Sequence, residues 1–293
     1  MLIDIHVHTR MFDGPRQVGE FGSKFATPQE LKDKLGPLGV RAVVALPIVS
    51  PECMWVNQST QEILWAAEEY PDFIIPFLNL DPRMNSYSPD ADLSHQMKYF
   101  LECGCKGIGE MTANLPFDDP LMENLFQHAQ ANNLPITFHI APEQYGNYGI
   151  RDHLGLPLLE GALRKFPELK FLGHSQPFWA EIGGDLTEDQ RNSYPPGKVV
   201  EGGALVRLMR QYPGLLGDLS AGSGHNAVSR DPEFGYAFMT EFQDRLFFGT
   251  DVCDPRNETP LIAFLNDAVE QGHISREVYE KIGWQNAEKL LGL

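Results

Sequence analysis

Apolar runs of strand length alternate with helix-period stretches along the whole chain. The apolar runs occupy residues 2–8, 40–48, 73–79, 105–111, 135–140, 169–174, 215–220 and 246–251. The stretches with a 3.6-residue period occupy residues 28–38, 57–70, 91–103, 119–133, 153–167, 201–212, 231–243 and 259–271. Such alternation is typical of a parallel sheet with crossover helices. Eight units predict a closed barrel.

The length of the chain agrees with one barrel. A (β/α)8 TIM barrel needs about 250 residues, and the 293 residues here leave room for loops and an extra C-terminal helix near 275–290. The first helix opens with Thr27-Pro28-Gln29-Glu30, which supplies an N-cap, a proline at the first helical position and a capping glutamate. We therefore expect an α/β fold with a single domain over residues 1–293.

Two histidines stand in the first apolar run. His6 and His8 are two residues apart, and alternate residues of a strand point to one face at a separation of about 6–7 Å. Both rings can then reach one cation. Ile3, Ile5 and Val7 are expected on the opposite face.

Three later apolar runs also end in a residue that can bind a metal. They end at His139, His174 and Asp251. Imidazoles and a carboxylate are the ligands of a catalytic divalent cation such as zinc. In a barrel of this type the active site lies at the C-terminal ends of the strands, where these residues are placed. The pattern predicts one metal centre built from several strands.

These strand-end residues resemble the metal-site pattern of the amidohydrolase superfamily. The match consists of His6 and His8 on the first strand, His139 on the fifth, His174 on the sixth and Asp251 on the eighth. Within the superfamily, the segments 173–174 and 248–251 resemble the amidohydrolase-2 branch that includes aminocarboxymuconate semialdehyde decarboxylase. The resemblance covers nearly the whole barrel. It identifies the superfamily and says little about the substrate.

The resemblance implies a role for each residue. His6, His8, His139 and Asp251 would bind a divalent cation, with zinc expected and manganese as the alternative. His174 would activate water or bind a second cation, so one or two ions are expected. A divalent cation lowers the pKa of a bound water molecule to about 7, and a neighbouring carboxylate or imidazole accepts its proton. Asp251 and His174 are accordingly the expected catalytic residues.

The fourth strand carries a further acidic candidate. Its segment Gly107-Ile108-Gly109-Glu110-Met111 resembles the fourth strand of deoxyribonuclease-like members, in which a glutamate bridges two cations. We expect Glu110 to be a metal ligand. Two alternatives stay open, namely that Glu110 orients a ligand histidine or that it binds substrate. Lys106 lies at the wrong end of this strand.

Four residues near the expected barrel mouth are candidates for contact with substrate. Arg10 has a fork that suits a carboxylate, although a surface arginine is the alternative. Ser223 and His225 lie in the polar segment 218–226, which we interpret as a flexible loop, with an ordinary glycine-rich turn and a solvated histidine as the alternative. Trp179 is expected to line the pocket, and packing is its alternative role.

Composition restricts the partners. With 40 acidic and 23 basic residues and a net charge of −17, the surface should repel nucleic acid and anionic lipid. The N-terminus runs directly into a strand, without a basic and apolar leader. We therefore expect a cytoplasmic protein whose partner is a small-molecule substrate. Residues 10–26 and 176–200 are expected to form a partial lid or, alternatively, to pack against a second subunit in a homodimer.

Three functional hypotheses follow. The first is hydrolysis of a small ester, lactone or amide by water that a cation activates. The second is non-oxidative decarboxylation of an unsaturated or aromatic carboxylate. The third is a catalytically silent barrel that binds a small ligand, which an open ligand set disfavours because structural zinc sites are closed cages. The candidate bridge Glu110 favours the hydrolase.

Overall fold

Eight parallel strands form a barrel in the computed structural model, which describes residues 1–12, 24–53 and 57–293. The barrel strands and one additional short strand, β6, are β1 (Leu2–Val7), β2 (Val40–Ala45), β3 (Ile74–Pro76), β4 (Ile108–Met111), β5 (Ile136–Ala141), β6 (Ile150–Arg151), β7 (Phe171–His174), β8 (Leu215–Asp218) and β9 (Leu246–Phe247). The strand β6, which the sequence pattern did not predict, pairs with the end of β5.

Two irregular seams close the barrel. Regular ladders give the orders β1-β2-β3 and β4-β5-β7-β8-β9. A parallel bridge between Leu78 and Ile108 joins β3 to β4. A second bridge between Val7 and Val252, with a hydrogen bond from Ile5 N to the Phe248 oxygen of 2.9 Å, joins β9 back to β1. The predicted (β/α)8 barrel is therefore confirmed.

Helices cover the outside of the barrel, and the bounds of those between the strands are α1 (Pro28–Leu35), α2 (Thr60–Glu69), α3 (Ser94–Glu102), α4 (Pro120–Ala131), α5 (Pro157–Lys165), α6 (Gln176–Ala180), α7 (Ala204–Gln211), α8 (Ala221–Ser229) and α9 (Pro232–Glu241). The capping box at Thr27 and Glu30 is present as predicted. The predicted flexible loop at 218–226 is wrong, because α8 occupies most of it. None of the helices in the described ranges has the length and apolar character needed to cross a membrane.

The C-terminal part of the chain ends in the predicted extra helix. After α10 (Pro260–Glu270), the chain forms α11 (Arg276–Glu280), a π-helical turn at Lys281–Gln285 and α12 (Asn286–Leu291). Ala287 and Leu291 of α12 belong to one buried cluster with residues of β1, β2 and β3 and of β7, β8 and β9. The last helix packs directly against β9 and closes this cluster.

A register shift in β1 changes which residues face the barrel interior. Between Asp4 and Val7 the pairing with β2 slips by one residue, as in a β-bulge. Ile3 and Ile5 consequently pack with Leu172 of the opposite half of the barrel, whereas Val7 belongs to the core beneath the helices. The expectation that Ile3, Ile5 and Val7 share one face is wrong, since it assumed unbroken alternation.

The core between sheet and helices is rich in aromatic rings. Phe138 of β5 is fully buried, and its ring centroid lies 5.3 Å from that of Phe117 and 5.7 Å from that of Phe178. Edge-to-face packing of this kind adds to the stabilisation that comes from burial. The next residue along β5 is His139, on the other face of the strand. The aromatic core therefore fixes the position of a site residue.

Replacement of Phe138 tests this core. We expect Phe138→Ala to lower the free energy of unfolding by about 3–5 kcal/mol, because the large cavity cannot collapse fully. Chemical denaturation measures the loss. Tyr145→Ala, at a side chain that is 80% exposed, is the control and should change stability by less than about 0.5 kcal/mol. An equal effect of the two substitutions would contradict the assignment of the core.

Candidate metal centre

The strand ends bring histidines and carboxylates into one cluster, which we call the metal centre. Its members form three overlapping groups whose potential ligand atoms lie within 4.8 Å of one another: His6, His8 and Glu110; His6, His174 and Asp251; and Glu110, His139 and His174. All six residues proposed as ligands from the sequence belong to these groups, and His139 joins the others through Glu110 and His174. Glu110 takes part through the end of β4, as the sequence suggested.

Hydrogen bonds at Nδ1 fix the orientation of the rings of His6 and His8. Nδ1 of His8 lies 2.9 Å from the carbonyl oxygen of Leu46, which can only accept, so this nitrogen carries the proton. Nδ1 of His6 lies 2.6 Å from Oδ2 of Asp218 and donates to that carboxylate. The two Nε2 atoms then face each other at 3.1 Å. Two facing lone pairs repel unless a proton or a cation lies between them.

Asp251 lies beside both nitrogens. Its Oδ1 is 3.5 Å from Nε2 of His6 and 3.5 Å from Nε2 of His8. The residue has a φ of 55°, a left-handed conformation that is uncommon outside glycine. Asp4 holds this turn, because its Oδ1 accepts from the backbone nitrogen of Thr250 at 2.9 Å and its Oδ2 from the Thr250 hydroxyl at 2.5 Å.

Glu110 connects the first strand to the fifth. Its Oε1 accepts a 2.8 Å hydrogen bond from Nδ1 of His139. Its Oε2 lies 3.4 Å from Nε2 of His8 and 3.9 Å from Nε2 of His6. The carboxylate thus stands where it orients one histidine and faces two others. Its geometry fits both the ligand role and the orienting role that the sequence left open.

His174 has partners on two sides. Its Nδ1 lies 2.9 Å from the hydroxyl of Ser220 and 3.6 Å from Oδ2 of Asp218. Its Nε2 lies 3.6 Å from Oδ2 of Asp251. The ring of His174 therefore lies between the buried carboxylate of Asp218 and the more exposed carboxylate of Asp251.

Burial and the surrounding carboxylates set the protonation of the two buried histidines. Burial opposes charge on His6, but Asp218, Asp251 and Glu110 outweigh it and raise its pKa to about 10. Burial and the nearby charge of His6 lower the pKa of His174 to about 4. At neutral pH in the cation-free protein, the ring of His6 therefore carries a proton on both nitrogens and is positively charged, whereas the ring of His174 is neutral.

The donor set fits a divalent cation. His6 and His8 present nitrogen lone pairs whose direction is fixed from behind, which is how ligand histidines are oriented in metal sites. Carboxylates and imidazoles together suit zinc, manganese or iron. The side chain of Asp251 is 26% exposed, whereas those of His6, His174 and Asp218 are at most 2% exposed. The cluster is thus closed from behind and open on one side.

Several residues of this centre were missed from the sequence. Asp218 ends an apolar run just as Asp251 does, and that position was a usable signal. Asp4 interrupts the apolar run of the first strand, and a buried carboxylate there is unexpected without partners. Ser220 carries no such signal, because a serine after a strand is common in loops.

Two of the four residues proposed to contact substrate, Arg10 and Trp179, have protein partners in the structure. Arg10 is half-buried, with its Nε 3.4 Å from Oε1 of Glu62. Trp179 is 1% exposed, and its indole donates to the backbone oxygen of Asp218 at 2.9 Å. Trp179 therefore supports the strand that carries Asp218. Roles for Arg10 and Trp179 in substrate binding stay predictions.

The other two residues proposed to contact substrate, Ser223 and His225, lie in α8. Ser223 is 3% exposed. His225 is half-buried, and its ring centroid lies 5.9 Å from that of Phe264. Their contact with substrate stays a prediction. Of the first lid segment, residues 13–23 lie outside the described residues.

Comparison with known proteins identifies the family and agrees with the fold. The amidohydrolase family model Amidohydro_2 matches residues 3–293, so the chain belongs to the amidohydrolase family. The resemblance inferred from the strand-end residues is therefore confirmed. No curated protein matches this sequence.

Solved structures share the barrel at low sequence identity. An uncharacterized TIM-barrel protein from Bordetella bronchiseptica has a TM-score of 0.63 and 17% identity, covering 99% of this chain and 98% of its own. A probable 2-pyrone-4,6-dicarboxylic acid hydrolase from Acinetobacter baumannii has a TM-score of 0.62 and 15% identity, with coverage of 100% and 99%. A 2,6-dihydroxybenzoate decarboxylase from Rhizobium has a TM-score of 0.61 and 14% identity, with coverage of 99% and 98%. At sequence identities this low, the similarity to these structures shows a shared fold and nothing about the reaction.

Substitution of Asp218 tests the support behind His6. We expect Asp218→Asn to weaken zinc binding about 10- to 100-fold, because the ring loses the charged partner that fixes its orientation. Competition with a chromophoric chelator measures the affinity. Asp244→Asn, at a surface carboxylate paired with Lys281, is the control and should leave the affinity unchanged. Zinc affinity equal to wild type in Asp218→Asn would contradict the role of this carboxylate.

Proton release gives a second test of the centre. Because the pKa of His6 is about 10 in the cation-free protein, a cation that binds its Nε2 at pH 7 must displace a proton. We expect the release of about one proton per cation, and an affinity that rises with pH between about 7 and 9. Calorimetric titrations in buffers of different ionisation enthalpy measure this release. Binding at pH 7 without proton release would show that His6 is not a ligand.

Proposed function

We propose that the protein is a metal-dependent hydrolase that attacks a small ester, lactone or amide with activated water. One observation carries the proposal, the open side of the metal centre at Asp251. Structural metal sites surround the ion with protein ligands, whereas catalytic sites leave a position for water or substrate. Here the buried imidazoles lie on one side of the cluster and the partly exposed carboxylate lies on the other.

Four residues are the best candidates to hold the cation. His6, His8, His139 and Asp251 form the proposed ligand set, and Glu110 would bridge two ions or hold His139 in place. When bound, the cation would polarise the substrate carbonyl and make a water molecule more acidic. Zinc is the expected ion, with manganese as the alternative.

Asp251 and His174 provide the route for the proton. Oδ2 of Asp251 and Nε2 of His174 are 3.6 Å apart, so both can contact one attacking water molecule. The low pKa of His174 keeps its ring neutral at pH 7. Either group can accept the proton of the water and later give it to the leaving oxygen or nitrogen. Ser220 holds the far side of the ring at 2.9 Å and limits its rotation.

Non-oxidative decarboxylation is the second candidate, since the barrel is shared by enzymes of both kinds. That reaction needs a group that protonates carbon, a role that Asp251 or His174 would fill. Glu110, whose Oε2 lies 3.4 Å from Nε2 of His8 and which is the candidate bridge between two ions, favours hydrolysis. A small-molecule substrate is proposed for either reaction.

A screen of the zinc-loaded protein tests the function. We expect turnover of at least one lactone, ester or amide, with no carbon dioxide released from unsaturated or aromatic carboxylic acids. Chromatography measures the first and a coupled assay of carbon dioxide the second. Gas release from one acid, with no hydrolysis of any other compound, would replace the hydrolase by the decarboxylase.

Two histidine variants separate the metal from the proton route. We expect His139→Ala to lose both cation and activity, because a ligand is removed. We expect His174→Ala to keep at least one cation while kcat falls about 10²- to 10⁴-fold, the usual contribution of a proton-transfer residue. Elemental analysis and kinetics measure the two effects. The exposed His95→Ala is the control. Normal turnover by His174→Ala would show that its assigned role is wrong.

A further inference from the structure

Tyr148 packs against His139, a member of the metal centre, and the strand-end analysis does not include it. Its ring centroid lies 4.4 Å from that of His139, and the two planes are inclined by 46°. The residue is 38% exposed, so it borders open space. In the part of the chain that the structure describes, its hydroxyl has no hydrogen-bond partner. An aromatic ring seated on a proposed ligand thus carries an unused polar group.

The backbone on both sides of Tyr148 is fastened to the loop that follows β4. Nδ2 of Asn114 donates to the backbone oxygens of Glu143 at 3.0 Å and Asn147 at 3.3 Å. The nitrogen of Gly149 donates to the oxygen of Thr112 at 2.8 Å. The strand β6 then pairs with β5 immediately after His139. The position of Tyr148 is therefore set by a built framework.

Gly149 makes the close approach to His139 possible. It has a φ of +112°, and a Cβ atom there would lie 2.7 Å from the backbone oxygen of His139. A side chain at this position would push the segment away from β5. The absence of one lets the preceding residue, Tyr148, rest its ring on the imidazole.

The phenol of Tyr148 is a proton donor at neutral pH. A phenol has an ordinary pKa of about 10, so it keeps its proton at pH 7. The acidic groups of the centre act as acceptors or ligands, whereas a neutral phenol supplies a hydrogen-bond donor. Such a donor is most useful where negative charge develops on a substrate.

We propose that Tyr148 is a further catalytic residue, whose hydroxyl donates a hydrogen bond to the carbonyl oxygen of the substrate. This inference rests on the proposed hydrolase. As the oxygen of water bonds to the carbonyl carbon, the π electron pair moves to the carbonyl oxygen, which Tyr148 contacts. When the carbonyl forms again, the bond to the leaving oxygen or nitrogen breaks, and that atom takes the proton that the water lost. No oxidant or further reactant is needed.

The test compares Tyr148→Phe with Tyr145→Phe. The first substitution keeps the ring on His139 and removes only the hydroxyl. The second makes the same chemical change in the same loop, at a side chain that is 80% exposed. Both variants are measured as zinc-loaded full-length protein, with zinc content, binding of acetohydroxamate by calorimetry, and kcat/KM on the substrate found in the screen. Acetohydroxamate presents a carbonyl oxygen beside a metal-binding group, so it probes the donor without turnover.

We expect Tyr148→Phe to bind zinc as wild type does. Its affinity for acetohydroxamate should fall about tenfold and its kcat/KM about 10²- to 10³-fold, as for loss of one oxyanion donor. Tyr145→Phe should match wild type in all three. Wild-type behaviour of Tyr148→Phe, equal losses in both variants, or no binding of acetohydroxamate by wild type would overturn the proposal. If hydroxamate binding falls in Tyr148→Phe but wild type hydrolyses no compound, the hydrolase fails and the oxygen-binding role of Tyr148 stands.

Discussion

Two imidazole nitrogens, Nε2 of His6 and Nε2 of His8, are held 3.1 Å apart by partners on the far sides of their rings. Asp218 and the carbonyl oxygen of Leu46 fix which nitrogen of each ring carries a proton, so neither ring can relieve the contact by a change of tautomer. The arrangement is stable only with positive charge between the rings. The carboxylates of Asp218, Asp251 and Glu110 lie around the two rings and balance this positive charge.

The acidic residues around His6 and His8 differ in exposure, and their roles differ accordingly. Asp218 is fully buried behind His6, where its charge is strongly felt because water is excluded. Asp251 stands in front and is partly exposed, which leaves it accessible to water and substrate. Asp4 accepts a hydrogen bond from the backbone nitrogen of His6 and holds the turn at Thr250 that presents Asp251. A buried carboxylate is costly unless it is paired, and each of these has partners.

The fold and most of the centre were predictable because both depend on local patterns. Eight apolar runs gave the barrel, and residues at their ends gave the six members of the cluster. Other features were not predictable, and three of them show why. The bulge in β1 depends on pairing with β2 and places Val7 in a different core from Ile3 and Ile5, which alternation within one strand cannot show. The helix α8 forms in a segment whose glycines indicated a loop. Tyr148 reaches His139 through a loop whose path depends on contacts with Asn114.

The contact between Asp4 and Thr250 spans 246 residues of sequence, so the first and last barrel strands must meet before the metal centre exists. Contacts of such long range form slowly, because much chain entropy is lost before they are made. During synthesis on the ribosome, the complete centre cannot assemble until almost all of the chain has emerged. Under the proposed function, a cation that bound only the finished barrel would stabilise it by mass action. Supply of that ion would then influence how much of the newly made protein persists in its folded form.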